Sequence, residues 1–319
     1  MSGRLPSYAV VSPVRDEAEY LSATAECLIA QTHRPAQWVI VDDGSTDRTP
    51  EIARSYAAAH SWIRVVNGGG EHVRARGAPI VRAFKRGVAA LDSRADVTVK
   101  LDGDLFFASH YFEWVAETFA RDPSAGVVGG VALIFDGTRW IPDGKGTHHV
   151  NGVAKAYRTS CLEDIGGLPE SMGWDGIDEY SARARNWNVH VLTELEILHY
   201  KVRGSKQPWY RARWEEGRGN HYMGYVPAFL AVRAAYRMVV ERPPVLGGLV
   251  LGAGFAYSRL TRRPLYADPA AIALLRAEQR DRLRRLARGR TAIPLPPLPD
   301  GGPAFWAAAQ AGDGVAGAP

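Results

Sequence analysis

The chain has 319 residues, 46% of them hydrophobic, enough to bury a substantial core in one large domain or in a domain with an appendage. Its net charge of +5 is unevenly placed: Ser258 to Arg290 holds ten Arg against Asp268, Glu278 and Asp281, a local net of +7 that leaves −2 for the rest, so no basic surface suited to nucleic acid runs over the whole molecule. Cys27 and Cys161 form no disulfide framework, no apolar run reaches about 18 residues, and the first residues lack a long apolar segment. Those absences predict a reduced, cytoplasmic chain with neither a spanning helix nor a secretory leader.

Tyr8 to Ser12 (YAVVS) reads as a strand ending at Pro13, and Glu17 to Ala30 as a helix with Leu21, Ala25, Leu28 and Ile29 on one face. Gln37 to Val41 is a second strand that runs straight into Asp42, Asp43, Gly44 and Ser45. Thr49 as N-cap and Pro50 at the first helical position open the next helix. A strand at Ile63 to Val66, a helix at Ala78 to Leu91 and a strand at Val97 to Leu101 complete a rhythm that predicts a parallel α/β sheet. Beyond it come a helix at Tyr111 to Ala120, a strand at Gly126 to Phe135 and a loop or hairpin at Gly137 to Val150. A short helix at Ser160 to Ile165 closes on Gly166-Gly167, a helix covers Ile177 to Asn186, and a late strand covers Val189 to Ile197, ahead of His199 and Tyr200.

From Tyr225 the composition changes. Phe229 to Val240 is a helix broken by Pro243-Pro244, and Val245 to Tyr257 is apolar but short and rich in glycine. Pro269 to Arg288 is an Arg-rich helix with Ile272, Leu275, Leu283 and Leu286 on one side. Such a pair reads either as a membrane-surface attachment or as a helical subdomain packed on the main domain. The tail from Ile293 is rich in Pro, Ala and Gly and reads as disordered. The borders expected are 1–225, 226–292 and 293–319.

The chemistry is concentrated at strand ends. In VTVKLDGDLFF, a buried-strand pattern stops at Leu101, and Asp102 and Asp104 flank a single glycine. In open α/β sheets ligands collect at the carboxyl ends of strands. Two carboxylates on a tight turn there make a hard-oxygen site suited to Mg²⁺ or Mn²⁺, with water and phosphate completing the shell. Asp42-Asp43 supplies a second acidic strand end.

VSPVRDEAEYL, VIVDDGSTDRTPEIA and VKLDGD resemble, in order and spacing, the nucleotide-binding half of family 2 inverting glycosyltransferases of the GT-A fold, and the resemblance continues through HVNGVAKAYRTSCLEDIGGL and GWDGIDEYSARARNW to about Tyr200. It implies a Rossmann-like, mostly parallel sheet flanked by helices, with the C-terminal helices as an extension. It implies Asp43 as acceptor for a ring N–H of the base, beside a wall of Pro13, Val14 and Glu17. Asp102 would lie near ribose and metal, Asp104 would bind the metal, and His199 is a candidate third ligand. The acidic motif of this family points to Asp178, with Glu179 second, as the base that deprotonates the acceptor. Gly166, Gly167 and Trp174 would shape the acceptor pocket. An Asn that the family often carries before its D-x-D is replaced by RAFKRG, which turns the diphosphate contacts over to Arg76, Arg82 or Lys85. YRARW faintly resembles the Q-x-x-R-W element of processive synthases, which would send Arg213 to a phosphate and Trp214 to a sugar, or it is an amphipathic helix edge. The partners implied are a UDP-, GDP- or dTDP-linked sugar and a saccharide or lipid-linked acceptor, at or near the inner face of a membrane. A sugar nucleotidyltransferase is disfavoured, because SPVRDEAEY lacks a glycine-rich basic loop. A fold-retaining, non-catalytic binding protein is the other alternative.

Overall fold

The computed structural model describes residues 4–69, 77–135, 139–143, 149–200, 208–240 and 244–288. Its first half alternates strand and helix: β1 (Tyr8–Val14), α1 (Leu21–Ile29), β2 (Gln37–Asp42), α2 (Thr49–Ala59), β3 (Ile63–Asn67), α3 (Ala78–Ala89) and β4 (Val97–Leu101). There follow β5 (Leu105–Phe107), α4 (Tyr111–Arg121), β6 (Ala125–Phe135), β7 (Trp140–Pro142), β8 (Ala154–Arg158), α5 (Thr159–Asp164), α6 (Trp174–Arg183) and β9 (Asn188–His199). Four helices end the described chain: α7 (Trp209–Tyr222), α8 (Pro227–Val240), α9 (Leu246–Leu260) and α10 (Pro269–Ala287).

The strands form one sheet in the order β3-β2-β1-β4-β8-β6-β9-β5, with β7 on β6. The parallel arrangement expected from the β–α rhythm holds across β3, β2, β1 and β4. Past β4 the sheet is mixed, because β8 runs antiparallel to both β4 and β6 while β9 runs parallel to β6. The first strand continues through Pro13 to Val14. Its pairing with β4 has stopped at Val11, so the missing N–H breaks no rung on that side.

Both faces of the sheet are buried by strict alternation. Val10, Trp38 and Ile40 enter a core with Leu21, Leu28 and Phe112, whereas Val11, Val39 and Val41 enter one with Phe84, Tyr157 and Trp174. Helices therefore cover both sides, and the polar strand ends are left along one edge.

The C-terminal helices pack on this body and on each other. Helix α10 lies against α6, where Ala271 and Leu275 meet Ile177 and Met223. Helix α7 packs on α9, across the border expected at Tyr225. The glycines of the apolar stretch explain themselves here as points of close backbone approach. A Cβ on Gly217 would sit 2.1 Å from the Leu251 carbonyl oxygen, one on Gly254 2.3 Å from that of Trp214, and one on Gly248 2.2 Å from that of Ala234. Val245 to Tyr257 is thus a packed helix. Among the described residues no helix is long and apolar enough to cross a membrane.

Candidate active site

Because β1, β2 and β4 are parallel, their carboxyl ends share one edge, and Val14 stands in register with Asp42. The Asp43 N–H donates to the Val14 carbonyl at 2.9 Å. Gly68 closes over it: a Cβ there would lie 2.9 Å from Asp43 Cα and 3.1 Å from its Oδ1. The rest of the DDGSTD run is spent on structure. Thr46 N–H donates to Asp16 Oδ1 at 2.7 Å, Glu17 N–H to Thr49 Oγ1 at 2.7 Å, and Ala18 N–H to Asp47 Oδ2 at 3.1 Å. Helix α2 starts at Thr49, one residue before the expected first helical residue Pro50, so that Arg48 is its N-cap and the Thr49 hydroxyl accepts from the Glu17 N–H. These bonds lace the loop after β1 to the loop after β2, so Pro13, Val14 and Glu17 form a fixed wall beside Asp43.

The turn at Asp102–Asp104 lies directly on that wall. A Cβ on Gly103 would be 2.9 Å from Val14 Cγ1 and 3.5 Å from Glu17 Cγ, so only glycine permits the approach. Asp102 receives the ammonium of Lys100, a buried lysine inside β4 that also donates to the Gly152 carbonyl at 2.6 Å. Burial pushes the Asp102 carboxyl up; Lys100 opposes this and Asp104 adds to it. His199, on the last residue of β9, sets Nε2 3.2 Å from Asp104 Oδ2. Burial would lower the imidazole, but Asp104 prevails and its pKa is raised. Its Nδ1 is buried and finds no hydrogen-bond partner among the described residues, unlike a histidine held purely for structure. Oxygen and nitrogen donors at this separation suit a divalent cation in place of the shared proton. Among the described residues no three such side chains converge to enclose an ion by themselves. The donor set therefore fits a cation whose shell is completed by phosphate and water.

Helix α6 begins at Trp174, three residues before the expected start, with Gly173 at φ 87° as its N-cap. That shift moves Asp178 and Glu179 from a helix end into a buried turn. Asp178, expected as the base, is 0% exposed, with Lys155 Nζ 2.8 Å away and the Tyr157 hydroxyl donating at 2.6 Å. Glu179 accepts from Val150 N–H at 2.9 Å and lies 3.0 Å from both Lys155 Nζ and His149 Nδ1. Both carboxylates are thus buried and paired within the protein. The acid with access is Asp175 in the first turn, its side chain 23% exposed and 3.9 Å from His149 Nε2. It borders Gly152, whose Cβ would fall 3.2 Å from Asp175 Oδ2, and Lys155 fixes its carbonyl at 2.8 Å. Since Gly152 also accepts from Lys100, Asp175 stands across one residue from the Lys100–Asp102 pair.

Other expected residues lie elsewhere. Gly166 and Gly167, at φ 74° and 78°, end α5 by donating to the Glu163 and Leu162 carbonyls, a helix stop rather than a pocket wall. Trp174 is buried, with the Lys100 ammonium 5.4 Å from its ring centroid. Trp214 packs on Tyr257 within the helical layer, ring centroids 5.3 Å apart, and Arg213 pairs with Glu216 at 2.8 Å. Arg82 and Lys85 are drawn to Glu170, at 3.6 and 3.0 Å. Arg76 lies outside the described residues.

Residues 9–166 match the family model described as "Glycosyl transferase family 2". They form a family 2 glycosyltransferase domain. The chain is 23% identical over 294 residues to glycosyltransferase AglD of Haloferax volcanii, covering 83% of this chain and 43% of that protein. Across the curated relatives it matches, the chain spans between 20% and 52% of their length. The fold resembles the mannosyltransferase PcManGT of Pyrobaculum calidifontis, solved with GDP-Man and Mn²⁺, at TM-score 0.54 and 16% identity over 90% of this chain and 83% of that one. It also resembles residues 1–349 of S. aureus TarS with UDP-GlcNAc, at TM-score 0.51 and 17% identity over 89% and 88%. The family 2 domain thus sits in the GT-A architecture expected from its motifs. Its matched segment holds Asp43, Asp102 and Asp104, while Asp175 and His199 come from the chain beyond it.

Proposed function

We propose that the chain transfers a sugar from a nucleoside diphosphate to an acceptor hydroxyl with inversion at the sugar carbon. The observation that carries this reading is the sharing of one sheet edge by Asp43, the Asp102–Asp104 turn and, across Gly152, Asp175. Asp43 accepts from a ring N–H of uracil, thymine or guanine while Val14 and Gly68 flank the base. Asp104 and His199 would hold a divalent cation, Mn²⁺ or Mg²⁺, with Asp102 beside it, and when bound the cation supplies Lewis-acid stabilisation of the departing diphosphate. Asp175 takes the acceptor proton as the acceptor oxygen bonds to the sugar carbon and the bond to the diphosphate oxygen breaks. His149, backed by Glu179, orients Asp175. The names of the solved neighbours, one with GDP-Man and one with UDP-GlcNAc, support a nucleotide-linked donor. A saccharide or lipid-linked acceptor in envelope or exopolysaccharide synthesis, on the cytoplasmic side, completes the reading.

A thermal-shift panel of UDP, GDP, dTDP and CMP, each with and without Mn²⁺, tests it without an acceptor, because a ligand bound only by the folded state raises stability by mass action. One diphosphate should give a Mn²⁺-dependent rise. Absence of any rise, in a chain that melts cooperatively, overturns the reading.

A further inference from the structure

Helices α8 and α9 are apolar on both sides, with Leu230, Ala234, Leu251 and Phe255 packed inward. Their inner sides carry the tight, glycine-mediated contacts described above, and their outer sides are apolar. On α9 the exposed row is Leu246, Leu249, Tyr257 and Leu260, spaced at helical intervals along 15 residues, a length of about 22 Å. On α8 it includes Tyr236 and Val239; Val239 and Leu260 are each 82% exposed. The ends of the two rows are brought together where the Val245 N–H donates to the Met238 carbonyl. No charged residue is exposed on α8 or α9 until Arg259, and Arg262 and Arg263 follow at once, both exposed. Cations therefore gather at one end of the apolar rows.

We infer that this face docks on the surface of a membrane containing anionic lipid, with the aliphatic and tyrosine rows entering the headgroup boundary and the three arginines meeting lipid phosphates. Charge decides the occupant. The same face of a second copy offers these arginines no partner, because α8 and α9 carry no acid. A lipid surface supplies both an apolar phase and fixed negative charge. On the Arg-rich α10, Arg282 and Arg285 pair with Glu278 and Asp281 of the same helix, whereas α8 and α9 carry no acid to neutralise Arg259, Arg262 and Arg263. The docking stands apart from the donor-site reading, since none of its residues borders Asp43, Asp104 or Asp175.

The test is flotation of the full chain with vesicles of phosphatidylcholine alone and of phosphatidylcholine with 30% phosphatidylglycerol, in low and in 0.5 M salt. The chain should float with the anionic vesicles, and Leu249→Glu/Leu260→Glu should lower the bound fraction at least tenfold. Gln at Arg259, Arg262 and Arg263 should abolish the preference for phosphatidylglycerol and the sensitivity to salt. Each variant should keep the wild-type melting temperature and nucleotide-dependent shift. Failure of the folded wild type to float with either vesicle overturns the inference. So does a wild-type dimer that Leu249→Glu converts to monomer, because that assigns the face to a second copy.

Discussion

Lys155 and Asp178 form an ion pair with no solvent exposure on either side chain, Nζ 2.8 Å from Oδ2, beneath the first turns of α6. The lysine is held charged: burial opposes this, but Asp178 and Glu179 raise its pKa. Removing one partner leaves an uncompensated buried charge, which costs about 3–5 kcal/mol. Lys155→Met should therefore lower the urea midpoint sharply, and the double variant Lys155→Met/Asp178→Asn should recover part of the loss. A loss in the double variant equal to the sum of the Lys155→Met and Asp178→Asn losses would mean that the pair is not coupled.

Asp175 and Asp178 differ in exposure, and this separates their roles. Asp175→Asn should reduce transfer about 10²–10⁴-fold, the usual contribution of a positioned base, with little change in melting temperature or nucleotide binding. Asp178→Asn should act first on stability. Comparison of single-turnover rates with melting curves distinguishes the two, and unimpaired transfer by Asp175→Asn would remove it from the reaction.

Asp104→Asn should abolish the Mn²⁺-dependent part of the nucleotide thermal shift and leave any metal-independent part in place. The same experiment on Asp43→Ala should weaken the shift of every nucleotide, with and without metal. A normal Mn²⁺ response in Asp104→Asn would leave the Asp104–His199 edge without its assigned role.

Glu179 sets a window in acid. Burial would raise its carboxyl, but Lys155 and His149 prevail and hold it at about 2, below its ordinary 4.5. A carboxyl depressed on folding contributes stability that is complete above its unfolded value and is lost as pH falls toward the folded one. Chemical denaturation between pH 5 and pH 2 should show stability falling with acid, and Glu179→Gln should flatten part of that slope.

The helical layer yields a paired test of its glycines. A Cβ on Gly217 meets the Leu251 carbonyl oxygen at 2.1 Å, whereas one on Gly252 meets nothing within 4 Å. Gly217→Ala should cost about 1–3 kcal/mol through forced separation of α7 and α9. Gly252→Ala should be neutral or stabilise by about 0.5–1 kcal/mol, because alanine is the better helix former. Denaturant curves of the two variants settle the comparison.

Much of this was legible in residue order. Strands β1 to β4 announced themselves as apolar runs, and Asp43, Asp102 and Asp104 stood out because charge began where each run stopped. The misses have physical causes. Strand β8 hides behind Lys155, a charge at a fully buried position made tolerable by Asp178, Glu179 and the Asp175 carbonyl. Strand β5 is three residues long and has no turn signal of its own. The start of α6 was obscured by Gly173 and Gly176, which look like loop in sequence. One sets a left-handed cap and the other lies inside the helix. The family's acidic motif points to Asp178 as the base, and it is the burial of Asp178 that moves the proposal to Asp175. The alternation of Val97 to Leu101 gave no warning that Lys100 would serve Asp102 and Gly152, because a lysine in a strand reads as a solvent-facing position.

Strand β5, which follows the Asp102–Asp104 turn at once, pairs only with β9 among the described residues, and β9 brings His199 to a position 95 residues along the chain from Asp104. As the chain leaves the ribosome, the base-binding wall can assemble early from neighbouring segments, but this rung must wait until β9 has been made. Long-range pairing of this kind is slow to form. On the proposed function, the wall around Asp43 would thus be complete in a growing chain before the Asp104–His199 edge.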